Sequence, residues 1–468
     1  MRTGDSAGGP WEVWRVAYPL ILNNAAQTLM TFVDRAFLAK RSTEDVAAAL
    51  PGGLLSFTFM SFFVVTTGFA STLVAQRHGK EDREGCVQAT WAAFHLSLIA
   101  GLFCVGVSFL GPWIIQISHH PESVMWREKI YFQMLVPGGG FECMNMAFCA
   151  FFAGQSRTWV VSLVSLIKCS VNAVLAYALI FGTWGAPEMG IAGAGLATFL
   201  ATALGPFISG AFFLLQDQSR FRTRHLAAPN ASEILRLLRF GSRSGVQVLL
   251  DVAAWSLVLF VVGDLGQSAL AATTIAMSIN MISFMPLLGV SDATSILVGQ
   301  YIGRGSKEIS TRAAFTAWKM AASYMVLMAV VFLALPQHLF RFFRPTGGGG
   351  QEFQEVMGYA RSILACAACY NFFDATIFVF MGALRGAGDT KGPMWIMLCL
   401  AWGLLVPGTL WMIKGLHCTV LGLWVFITCY ASLVCLMMFR RFQSGQWKKI
   451  DVFAQGLPGP PPVPEVIP

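Results

Sequence analysis

From Gly245 to Gly263 the sequence runs GVQVLLDVAAWSLVLFVVG, nineteen residues of almost unbroken apolar character with one carboxylate, Asp251, near the middle. A run of that length crosses a hydrocarbon core as a helix, and no soluble element needs it. Similar runs recur along the whole chain. Only 12% of the residues are charged against 56% hydrophobic, about half the charged share of an ordinary soluble domain. The expected fold class is therefore an all-α polytopic membrane protein.

Twelve helices are expected, at roughly 14–39, 46–75, 87–117, 127–154, 158–182, 190–216, 238–263, 269–299, 312–340, 354–384, 392–413 and 417–440. An even number puts both termini on one side. Loops and tails on that side hold twenty Lys and Arg, the opposite loops seven, so the positive-inside rule makes both termini cytoplasmic in a multi-pass protein of the cell (inner) membrane. The net charge of +8 is thus topology information rather than a nucleic-acid footprint. The opening MRTGDSAGGPWEVWR reads as a short polar arm (1–13), with no cleavable signal. The eleven cysteines lie scattered through apolar segments and read as small reduced core residues. GGGG at 347–350 reads as a flexible link, and the tail from 441 ends in LPGPPPVPEVIP, which cannot form a helix.

The longest polar linker, 217–237, separates an N-lobe of six helices (14–216) from a C-lobe of six (238–440), and the halves resemble each other. LVAQRHG (73–79) recurs as LVGQYIG (297–303) at an offset of 224, and GQSRT (154–158) as GAGDT (386–390) at an offset of 232. Six spans per half give both the same orientation, a parallel repeat about an axis along the membrane normal. Two such bundles enclose a central cleft, the architecture of a transporter, with a channel as the other possibility. One chain completes the cleft, so a monomer suffices.

An ionisable group inside a span is costly unless it faces a wet cavity or a partner. Asp251 shares a helix face with Gln247 and Trp255. It is either a functional acid or a structural one tied to a neighbouring helix. In the first span Asn24, Gln27, Thr31 and Asp34 form one polar stripe, facing either the cleft or another helix, and Pro19 is expected to kink that helix. Asp374 has Asn371 and Tyr370 a turn before it. The 232 offset sets it opposite Glu142, which Lys168 of the fifth span either neutralises or leaves free. Asp292 reads as a hydrated mouth residue. No histidine lies in a span beside an acid except His95, which gives no support for a proton relay. Trp255, Tyr370 and Phe378 lie on the same faces as the acids and are suited to stacking organic cations. No GxxxxGK[ST] occurs, so energy is expected from an ion gradient.

At these residues the chain resembles the multidrug and toxic compound extrusion family. The carriers are YPLILNNAAQTLMTFVDRAFLA, GFASTLVAQRHGKED, GVQVLLDVAAWSLVLF, GVSDATSILVGQYIG and DATIFVFMGALRGAGDT, in order from about Trp11 to Arg441. The resemblance implies export of cationic, amphipathic compounds in exchange for sodium ions or protons. It also implies that Asp34 is the family's first-helix acid and Pro19 its kink proline. Asp251 stands where the NorM-like branch has a seventh-helix glutamate, and Asp374 matches that branch's tenth-helix aspartate. Asn172, Thr198 and Ala194 resemble the rest of an N-lobe ion site, but the position of its second acid is Ala176.

These readings converge on a secondary antiporter of small organic cations that works by alternating access in a lipid bilayer, without a cofactor. Asp251, Asp374, Asp34, Asn371 and Gln247 are the candidate coupling residues, with Asn172, Thr198, Ala194 and Glu142 a second, N-lobe candidate site. Gln27, Thr31, Trp255, Tyr370 and Phe378 are expected to line the substrate cavity. A sodium ion at Asp251 and Asp374 fits their oxygen donors. The match to the NorM-like acids favours sodium, and a proton comes second, since two carboxylates in low dielectric cannot both stay ionised cheaply. The alternatives are a flippase for lipid-linked precursors or polysaccharides, which favours a cationic cavity, and a membrane-embedded transferase, for which no catalytic constellation is found.

Overall fold

Twelve long helices follow one another in the computed structural model, which describes residues 7–116, 121–216, 221–224, 229–341 and 350–453. The first six residues, His119 and His120, the glycines 347–349 and the proline-rich end beyond Phe453 lie outside them. The helices are α1 (Pro10–Arg41), α2 (Ala47–Gly79), α3 (Arg83–Ile115), α4 (Glu122–Gly154), α5 (Thr158–Phe181), α6 (Ile191–Leu214), α7 (Ala231–Leu265), α8 (Ser268–Gly303), α9 (Lys307–Ala334), α10 (Gln354–Gly386), α11 (Lys391–Gly415) and α12 (Val420–Gln443). All but α1 are long and apolar enough to cross a membrane. The first helix falls short in hydropathy because it carries the polar stripe.

Short polar side chains set several of the helix starts. The Asp82 carboxylate accepts from Gly85 N at 2.8 Å ahead of α3, and Thr419 accepts from Gly422 N ahead of α12. Asn230 accepts from Ser232 N and Glu233 N, so α7 begins at Ala231, seven residues before the apolar pattern does. Two charged residues of those first turns are buried: Glu233 accepts from Arg77 Nη2 of α2 at 2.7 Å and from Arg236. The helix α1 stays continuous through Pro19, and the hydroxyls of Thr158 and Ser162 on α5 donate to the carbonyls of Val16 and Pro19. The helix α11 is irregular, with wide π turns at Ala401–Leu405 and Trp411–Gly415 on either side of Pro407. Cys369, Cys399 and Cys429 are exposed rather than in the core.

The two lobes meet along α1 and α8, α2 and α7, and α2 and α8. These contacts concentrate on the side that holds the chain ends, the terminal side. One apolar cluster there joins Val13, Val16 and Leu20 of α1 to Leu287, Val290, Leu297 and Tyr301 of α8. On the opposite side every cluster stays within one lobe: Leu38, Ala48, Tyr131 and Ile180 in the first, Ala272, Phe332, Ile363 and Trp424 in the second. The lobes are sealed on the terminal side, and among the described residues no core cluster joins them on the other.

The two repeated motifs build that seal. Gln76 Nε2 of α2 donates to Gly386 O of α10 at 2.9 Å, and Gln300 Nε2 of α8 donates to Gly154 O of α4 at 2.6 Å. Gln76 and Gln300 are counterparts at the 224 offset, Gly154 and Gly386 at the 232 offset. Each half therefore bonds the other with the same residues. Gly79 and Gly303, also counterparts, allow the backbones to touch. A Cβ on Gly303 would stand 2.0 Å from Gln76 O, and one on Gly79 2.1 Å from Gln300 O.

Candidate functional site

Three acids inside the spans, Asp34, Asp251 and Asp374, form no ion pair among the described residues. They fall in two groups, one per lobe. In the N-lobe Asp34 is buried at 4% exposure, and its Oδ2 accepts from Thr198 Oγ1 of α6 at 2.8 Å. Asn172 Nδ2 of α5 donates to the same hydroxyl at 3.1 Å, and Ala194 O lies 3.1 Å from it. A hydroxyl has one proton, so the bond to Asp34 leaves the Ala194 carbonyl near Thr198 without it. Asp34 Oδ1 and Asn172 Oδ1 are both buried without a partner. Such oxygens cost about 1–3 kcal/mol each unless something meets them. The group is a cluster of oxygens carrying one formal charge. Ala176 lies in the same core cluster as Ala194 and supplies only a methyl group where a second carboxylate would add charge.

The stripe on α1 does not stay together. Asp34 turns into its own lobe, whereas Thr31 is exposed and its hydroxyl donates to Gln27 O of the same helix. Asn24 accepts from Asn23, leaving its own amide nitrogen unpartnered. Glu142 stands apart from Asp34's partners: Lys168 Nζ, 1% exposed, donates to it at 2.5 Å, while Asn145 accepts from Ser209. That arrangement gives Glu142 a neutralising partner one turn before Asn172.

In the C-lobe Asp374 of α10 is 2% exposed, one turn after Tyr370. Asp251 of α7 lies close enough to Asp374 to interact with it electrostatically. Asn371 is buried beside them, and Trp255 meets Tyr370 edge to face at 6.4 Å. Gln247, one turn before Asp251, is turned to Met381 and donates to its sulfur at 2.9 Å. A small pocket beside Asp251 is walled by Gln247, Leu250, Met397, Ala401 and Trp402. Trp402 Nε1 donates to Leu250 O at 3.3 Å, which ties the first π turn of α11 to α7. Asp251 Oδ1, Asn371 Nδ2 and Tyr430 OH are buried without partners. Phe378 sits lower, packed edge to face on Phe284 at 4.7 Å, where the terminal-side cluster meets the C-lobe core.

Two residues here are absent from the sequence reading. Tyr430 of α12 is 5% exposed and lies within electrostatic reach of both acids with its hydroxyl unbonded, and Trp402 walls the pocket. A lone phenol in the apolar run VFITCYASLV is a weak signal, and α11 offers no polar stripe. Asp292 pairs with Arg385 at 2.5 Å, and both are partly exposed, in keeping with a mouth position. His95 lies in an aromatic nest with Trp91 and Phe94, away from the acids.

The model of the family described as MatE matches residues 19–178 and 244–411. A probable multidrug resistance protein NorM of Thermotoga maritima is 25% identical over 95% of this chain and 94% of its own length. A second, of Pseudomonas aeruginosa, is 29% identical over 88% of this chain and 87% of its own. Among solved structures, the eukaryotic MATE transporter AtDTX14 superposes with a TM-score of 0.83 at 17% identity, covering 94% of this chain and 96% of that one. An outward-facing multidrug resistance MATE family transporter of the MOP superfamily gives 0.82 at 18%, covering 96% and 100%.

Proposed function

Since this chain belongs to the MatE family, whose members are transporters rather than enzymes, we propose that it exports organic cations in exchange for an inward-moving cation. The observation that carries this reading is the set of acids inside the spans, Asp34 and Asp374 buried and Asp251 half-buried, with no basic partner among the described residues. Asp251 and Asp374 lie close together in one lobe and Asp34 in the other, while the buried Lys168 is already neutralised by Glu142. A cleft of that polarity favours cationic cargo and speaks against an anionic lipid-linked precursor. The NorM relatives' description as multidrug resistance proteins supports the same class.

The positive-inside count puts the sealed side in the cytoplasm, so the lobes part toward the outside, the state in which cargo leaves and the coupling ion enters. Asp251 and Asp374, with Tyr370, Asn371 and Tyr430, form the coupling site. Sodium is the leading ion, because several neutral oxygens accompany the two carboxylates, and a proton is the alternative. Relaxation of the seal, with closure of the outer ends, would carry the site to the other side. Trp255 and Tyr370 offer aromatic edges and faces to a flat cation held near the acids.

The test is efflux of a fluorescent organic cation in proteoliposomes under imposed sodium or proton gradients. An inward sodium gradient is expected to drive efflux, and Asp251→Asn or Asp374→Asn to abolish that response. Efflux driven by pH alone overturns the sodium assignment. Coupling retained in both variants overturns the C-lobe site.

A further inference from the structure

The segment after α12 does not trail away from the molecule. Gly445 turns the chain back with a positive φ of 65°, and Gln446–Lys449 form one 3-10 turn. Trp447 is 1% exposed, stacks on Phe442 at 5.1 Å, and its Nε1 donates to Phe442 O at 2.8 Å. These contacts root the segment in the C-lobe core.

Three residues further on the chain leaves that lobe. Val452 is 2% exposed within a cluster made mainly of N-lobe residues, among them Phe69, Leu73, Val74 and Val87, and Ile450 and Phe453 pack against it. The Phe453 ring lies under three cations: Lys80 at 4.6 Å, Arg77 at 5.0 Å and Arg236 at 5.2 Å. Two of these belong to the end of α2, and Arg77 is also bonded to Glu233 of α7. On its other side Val452 rests against Gly388, between α10 and α11, where an added Cβ would come within 2.3 Å of its Cγ2. Trp447 is thus anchored in the C-lobe alone, whereas Val452 and Phe453 also pack on the N-lobe, and both anchors lie on the sealed side.

We propose that residues 446–453 form a strap across the lobes which holds the terminal side shut and must detach, at its Val452–Phe453 end, each time that side opens. The proposal rests on the alternating-access reading above. The chain ties the two anchors within six peptide steps, at most about 20 Å, so a parting of the lobes beyond that reach frees one of them. The halves seal each other through Gln76 and Gln300, and the strap adds closure beside that seal.

Hydrogen–deuterium exchange on the full chain in detergent or nanodiscs tests the strap without needing transport to be observed. The substitution pair Val452→Ala and Phe453→Ala is expected to speed amide exchange by roughly tenfold or more at 72–79 and 295–303, the amides of the seal. Lys449→Ala, an exposed change on the same segment, is expected to leave those amides unaltered. Faster exchange confined to 446–453, with the seal as protected as in the parent, overturns the proposal. Phe453→Ala alone gives the same reading should the double variant fail to fold, because Phe453 is only half-buried. A parent chain that moves no organic cation would refute the antiport reading but leave the exchange result to decide the strap.

Discussion

Gly303→Ala tests the seal at its tightest point. The new Cβ would stand 2.0 Å from Gln76 O and 2.9 and 3.1 Å from Gln76 C and Cα, all backbone atoms that cannot rotate aside. Restoring an ordinary contact parts the helices by about 1.4 Å. That shift stretches the 2.9 Å bond from Gln76 to Gly386 past the range of a hydrogen bond, and the 2.6 Å bond from Gln300 to Gly154 with it. Each leaves a buried amide and carbonyl unmet, about 1–3 kcal/mol per bond, so the sealed state loses about 2–6 kcal/mol against a state in which water meets them. The population ratio then shifts by roughly 30-fold to more than 10⁴-fold. Gly68→Ala is the control, since a Cβ there meets nothing within 4 Å. The assay pairs cation efflux with amide exchange over 72–79 and 295–303. Lost efflux with deprotected amides is expected for Gly303→Ala and neither for Gly68→Ala. Efflux at the parent rate with full protection in Gly303→Ala would refute the seal as the element that closes the terminal side.

The pair Lys168 and Glu142 gives a stability test: Glu142→Gln strands a buried ammonium and is expected to destabilise the fold by about 3–5 kcal/mol, whereas Lys168→Met with Glu142→Leu is close to neutral, both read by thermal unfolding. Asp34→Asn removes the only formal charge among Asp34, Asn172, Thr198 and Ala194, and we expect impaired efflux at equal expression; parent-like efflux would make the cluster structural. Ala176→Asp adds a second carboxylate to that lobe and is expected to alter the ion dependence of efflux, and no change would mean Ala176 does not line the site.

Span number, the two-lobe repeat and the acids were legible because each leaves a local mark: an apolar run, a recurring heptapeptide, a lone charge in a hydrophobic helix. What the repeat does was not legible. LVAQRHG and LVGQYIG announce kinship between halves, but the partner of each glutamine is a glycine carbonyl in the other half, and no spacing encodes that. The polar stripe of α1 left open whether it faces the cleft or another helix, and no spacing encodes that Asp34 meets Thr198 while Thr31 is exposed. Tyr430 and Trp402 reach the C-lobe site from α12 and α11, helices whose patterns look like lipid-facing spans. The strap escaped because Trp447, Val452 and Phe453 are too few and too unevenly spaced to give a period, and the prolines beyond them suggested an unstructured end.

The crossed bonds of Gln76 and Gln300 have the form of an isologous dimer interface contained in one polypeptide. In such an interface both copies of a contact lie about the same axis, and the backbones that carry them touch at Gly79 and Gly303. Parting one pair by an ångström parts the other. A seal built this way favours parting of both pairs together over peeling from one edge.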